Sequence, residues 1–79
     1  MLQPRALSFL LDELCVKYGY CLPPRSRKRV EADPPPTPEA LATAVFRAAG
    51  FDPFVDKQPY RPLLAHVVRA FERCGADDS

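Results

Sequence analysis

Ten prolines in 79 residues constrain this chain more than any other feature. A proline inside a helix removes an N–H donor and clashes with the preceding turn, so each one marks either a first turn or a break. Pro23, Pro24 and Pro34–Pro36 bracket residues 19–36, and Pro53 and Pro59 interrupt residues 51–59. Pro4, Pro38 and Pro62 stand where a first helical turn accepts proline, because the missing donor has no intrahelical partner there. The windows left for helices are about 4–18, 38–49 and 60–74.

The middle window is the most completely punctuated. Thr37 supplies a capping hydroxyl, Glu39 puts a negative charge in the first turn, and Gly50 can take the left-handed conformation that closes a helix. Phe51 falls where a Schellman-type end places its apolar contact. At about 100° per residue, Leu41, Ala44, Val45 and Ala48 share a stripe, while Phe46 with Ala42 and Ala49 points well away from it. A helix apolar on most sides is covered by neighbours on more than one side. This one is therefore expected at the middle of a bundle.

The first window, PRALSFLLDELCVKY, ends at Gly19 and has Leu7, Leu11, Leu14 and Tyr18 on one face, flanked by Leu10 and Cys15. Phe9 and Val16 break that pattern. They lie opposite the leucines, seven positions apart, with Leu2 a possible third member of the strip. The third window places Tyr60, Leu64, Val67, Phe71 and Cys74 on its inner stripe, with Leu63 at the margin and Gly75 as the stop. The expected core is Leu41, Val45, Leu64, Val67 and Phe71, with Leu11 and Leu14 against them.

Between these windows, residues 19–36 are expected as a long Pro-rich basic connection, a loop or at most a short turn, with Tyr20, Cys21 and Leu22 tucked back as an anchor. Phe51, Phe54 and Val55 are expected to pin the second connection to the core. The expected fold is all-α: one domain over residues 1–79, three helices, and a frayed tail over 76–79.

Composition narrows the function. A formal net charge of +1 gives no global field toward nucleic acid or an anionic membrane, so such a case must rest on a local patch. No stretch reaches the roughly 18–20 apolar residues that span a bilayer. The apolar run after Arg5 is cut short by Asp12 and Glu13, with no cleavage site following, which argues against an export signal. Three cysteines, Cys15, Cys21 and Cys74, do not form the even set of a secreted framework. They are expected as free thiols in a soluble, cytoplasmic protein.

Catalytic and metal chemistry finds little support. His66, the single histidine, sits at the edge of the third helix's inner stripe and does not share a face with Cys74. The cysteines lack the close paired spacing of a zinc site. Asp12 and Glu13 are adjacent, hence on different faces, and are read as solvated. Each of the glycines closes a helix, and no Gly-rich phosphate loop is present. The chain is expected to be no enzyme and to need no cofactor or metal.

What remains is contact chemistry. The cluster Arg25, Arg27, Lys28 and Arg29 is the concentrated charge feature, offset by Glu31 and Asp33 and without interleaved aromatics for base stacking. The leading expectation is a non-enzymatic protein–protein interaction module, an adaptor, regulator or inhibitor, that binds a protein partner or itself. Its candidate contact residues are Phe9 and Val16 on a helix face and Arg25, Arg27, Lys28 and Arg29 in the basic loop. The alternative is a nucleic-acid-binding regulator that uses the same basic segment. No membrane role is expected.

Overall fold

In the computed structural model, which describes residues 3–78 and side chains as far as Arg73, the chain is all-helical. Four helices follow in order: α1 (Pro4–Tyr18), α2 (Pro24–Ala32), α3 (Pro38–Ala48) and α4 (Lys57–Asp78). The all-α expectation holds and the three-helix one does not. The Pro-rich basic connection, expected as a loop or a short turn, contains α2. Its sequence, PRSRKRVEA, opens with proline at the first helical position and continues mostly in good helix formers. The lack of an apolar stripe, which argued for a loop, reflects a helix that buries one side chain, Val30.

α3 behaves as its punctuation requires. The Thr37 hydroxyl accepts the Ala40 N–H at 3.2 Å, and Gly50 closes the helix at φ 96°. The Gly50 N–H then donates to Arg47 O and the Phe51 N–H to Phe46 O, the bond pair of a Schellman end. The associated apolar contact forms as well: the Phe51 ring stacks on Phe46 with centroids 5.1 Å apart. Leu41 and Val45 are fully buried on one side of α3, and Ala42 and Phe46 on another. Tyr20, Phe51 and Tyr60 all place rings against Phe46, so α3 is covered on two sides. Among the helices, however, it packs extensively on α4, whereas α1 and α4 each pack on two, and the expected place at the middle of the bundle is not borne out.

α4 corrects the reading of the third window. It starts at Lys57, ahead of Pro59, so Pro62 lies inside the helix. It also runs through Gly75 to Asp78, where a stop at Gly75 was expected. Its inner face is centred on Leu63, Val67 and Ala70, the i, i+4, i+7 positions of a helical stripe. Leu63 is fully buried, while Leu64 and Phe71 pack against the core from its edge. The Tyr60 hydroxyl lies 3.0 Å from that of Thr43, joining α4 to α3. α4 makes its most extensive contact with α3 and also packs on α1, while α2 leans on α1.

The connections split between anchored and exposed. Tyr20 and Leu22 do fold back onto the core. Phe54 and Val55, expected to be pinned down, are instead 76% exposed each. The Asp52 carboxylate accepts the Phe54 N–H at 2.9 Å and the Asp56 carboxylate accepts the Asp52 N–H at 3.3 Å, and the tight turn so formed aims both side chains outward.

Cys15 and Cys21 form a disulfide with Cα atoms 4.2 Å apart, which corrects the expectation of three free thiols. Gly19, at φ 79°, ends α1 between them and turns the chain so that Cys21 returns to the helix's last turn. The side chain of Cys74, like residue Leu2, lies outside the described residues.

Candidate functional site

The leucines of α1 decide which face it shows to solvent. Leu7, Leu10, Leu11 and Leu14 are all buried, and the helical repeat then forces Phe9 and Val16 outward. Phe9 is 70% exposed and Val16 84%. Seven positions apart, they stand about 10 Å apart along the axis and form an apolar ridge, bordered by Asp12, Glu13 and Lys17. Neither the Tyr20–Leu22 turn nor any other described segment covers them.

The carboxylates between the two apolar residues are not simply solvated, as their adjacency suggested. Asp12 and Glu13 point about 100° apart, and each reaches a different neighbouring helix. Arg27 of α2 donates to Asp12 Oδ1 at 2.6 Å, to the Ser8 carbonyl at 3.2 Å and to the Ser8 hydroxyl at 3.0 Å. Its Nε donates to Glu31 one turn along α2 at 3.2 Å. The bond to Asp12 first, and that to Glu31 next, hold the Arg27 pKa above the ordinary guanidinium value. On the other flank, Glu13 faces His66 Nε2 of α4 through Oε1 and Lys17 through Oε2. His66 is a boundary residue here, part-buried and with its ring 5.3 Å from that of Tyr18. The ridge thus runs between two helices, α2 held to α1 through Asp12 and α4 meeting it where Glu13 faces His66.

α2 divides the basic cluster in two. Arg27 and Val30 face inward, Arg27 as the clamp on α1 and Val30 as the buried contact. Arg25, Lys28 and Arg29, spaced i, i+3, i+4, share the opposite side and are exposed, lining an open cleft with Ser26 and Ala32. Among the described residues none of these three forms an ion pair. On the α4 side, His66 lines a second open cleft with Arg69, Glu72 and Arg73.

Sequence reasoning located the ridge and the basic cluster but missed the Asp12–Arg27 and Glu13–His66 links between them. The available signal was geometric: adjacent carboxylates on an amphipathic helix must flank its outer face and so meet whatever packs at either side. Among the described residues there is no cluster of three or more His, Cys, Asp or Glu side chains able to hold a metal ion. No described helix is long and apolar enough to cross a membrane. No family model, curated protein or solved structure matches the chain.

Proposed function

We propose that this chain is a small non-enzymatic protein–protein interaction module, which presents the outer ridge of α1 and the basic side of α2 to a protein partner. The observation that carries the reading is the exposure of Phe9 and Val16 as a pair, on a helix whose other large apolar residues are nearly all buried. Single exposed apolar side chains are ordinary. Two aligned on one helix, with Asp12 engaged by Arg27 and Glu13 by Lys17, make a surface from which water is readily displaced. Phe9 is its anchor, since aromatic side chains dominate interface energetics.

Replacing Phe9 by Glu tests this directly. At 70% exposure the side chain contributes little to the core, so helicity and melting stay close to the parent. Association, read by sedimentation of the protein or by capture of its partner from the native source, is lost. Unfolding of the variant, or association unchanged, removes the ridge from the interface.

A second reading, nucleic-acid binding, draws on the alignment of Arg25, Lys28 and Arg29 along one exposed side of α2. Arg27 is diverted to α1 and α2 carries no aromatic residue for stacking, which leaves the protein partner favoured. A mobility shift that weakens steeply with salt, and is lost with these three cations, supports the nucleic-acid reading instead.

A further inference from the structure

We propose that the Cys15–Cys21 disulfide is a redox-sensitive switch that sets whether α2 is docked on α1. The switch lies outside the α1 ridge and does not depend on the interaction-module reading.

The bridge is open to attack. Cys21 is exposed and Cys15 is half-buried in the last turn of α1, with Tyr18 and Gly19 exposed beside them. No cysteine is among the described residues of the buried core. Thiol–disulfide exchange needs access to one of the two sulfurs, and Cys21 offers it. The thiolate of an external dithiol attacks Cys21 Sγ, a mixed disulfide forms, and Cys15 leaves as a thiolate and takes a proton. The second thiol of the reductant then displaces Cys21. Two electrons and two protons have passed to the cysteine pair, and the dithiol has become a disulfide.

What hangs on the bridge is the approach to α2. Gly19 turns the chain at φ 79°, Tyr20 and Leu22 pack against the core, and α2 begins at Pro24. Beyond that, α2 is held by buried Val30 and by part-exposed Arg27, which binds Asp12 and Ser8 of α1. One valine and one such ion pair favour docking on the order of a hundredfold. Against this stands the cost of forming a nine-residue helix, which does not persist alone in water. Closing the loop between Cys15 and Cys21, six positions apart, contributes about thirtyfold through chain entropy. The two magnitudes are comparable, so breaking the bridge is enough to release α2.

The rest of the core does not hang on it. Leu7 and Leu14 of α1, Leu41 and Phe46 of α3, and Leu63 and Val67 of α4 are all fully or almost fully buried, with α3 packed on α4 and α4 on α1. Reduction therefore frees one element and leaves three helices together, which separates a switch from a structural staple. Arg25, Lys28 and Arg29 share one exposed side of α2 while the bridge is closed. They lose that alignment when it opens.

The full chain is compared as oxidised protein, after reduction with dithiothreitol, and after reoxidation with oxidised glutathione. Alkylation and mass spectrometry read the bridge, and amide exchange at 25 °C reads residues 24–32 and 41–46. In the reduced protein, residues 24–32 are expected to exchange within about tenfold of an unstructured chain, while 41–46 stay protected more than about a hundredfold. Reoxidation restores protection of α2. The C15S/C21S variant shows the reduced pattern whichever reagent is present, which excludes a direct effect of the reagents. Unchanged protection of α2 after reduction overturns the switch, because Val30 and Arg27 then suffice. Equal loss of protection in α2 and α3 also overturns it and makes the bridge a staple of the whole fold. So does a bridge that dithiothreitol reduces only in denaturant, since its sulfurs are then closed to attack.

Discussion

Arg27 of α2 reaches Asp12 of α1 across 15 positions of sequence, at 2.6 Å, while its other nitrogens hold Ser8 and Glu31. One side chain therefore docks α2 and supports it internally. The helix has little else: of its nine residues only Val30 is buried, and a nine-residue helix is too short to persist alone in water. The formation of α2 depends on its tertiary contacts.

Replacing Arg27 by Ala is expected to loosen α2 and leave the rest of the fold in place. The pair is partly exposed, Arg27 at 31% and Asp12 at 63% of the side chain, so the global cost is small, about 0.5–1 kcal/mol. The local effect is larger: amide exchange of residues 24–32 should accelerate well beyond that of α3. Uniform protection across α2 in the variant would show that Val30 alone anchors the helix. The guanidinium pKa is raised, so while the partner carboxylates are ionised this contribution is complete below the ordinary arginine value and fades only at stronger alkalinity. Titration of Arg27 itself thus gives no change in stability between pH 6 and 9.

The sequence made α3 legible almost to the atom, because its signals are local: a hydroxyl cap, a proline at the first position, a glycine stop, and Phe51 placed to meet Phe46. α2 was not legible because its reasons are distant. Arg27 pairs with a residue 15 positions away, and Val30 alone gives no periodicity. The same division holds at the site. Outward placement of Phe9 and Val16 follows from the leucine pattern, whereas the engagement of Asp12 and Glu13 depends on which helices flank α1. The outward placement of Phe54 and Val55 follows not from their apolar character but from Asp52, whose carboxylate accepts the Phe54 N–H and sets the turn.

Starting α4 at Lys57 adds an exposed first turn and does not rotate the helix; the stripe is centred on Leu63 rather than Leu64. Leu63 is fully buried and Leu64 is at the edge. Leu63→Ala should therefore cost about 2–5 kcal/mol, a large fraction of the stability of so small a domain. Leu64→Ala should cost clearly less, since its site opens to water and leaves a smaller cavity. Urea denaturation of the two variants checks the ranking. An equal or larger loss for Leu64 would place the inner face where the sequence pattern alone put it.

The Cys15–Cys21 disulfide ties the last turn of α1 to the segment that leads into α2. That segment carries Tyr20, whose ring meets Phe46 edge-on at 5.6 Å and Phe51 at 5.7 Å. The bridge therefore holds an aromatic lid on the most buried ring of the core. It closes a short loop, six positions apart, for which chain entropy gives a stabilisation of about 2 kcal/mol. For a domain of this size that corresponds to a melting decrease of roughly 10 °C on reduction. A phosphine reductant, or the C15S/C21S double variant, should produce this drop, with faster amide exchange through residues 20–32. Thiol titration of the unreduced, denatured protein should find one reactive cysteine of the three in the chain. Three reactive thiols and a melting temperature indifferent to reductant would show that the bridge does not form, leaving Tyr20 held by ring packing alone.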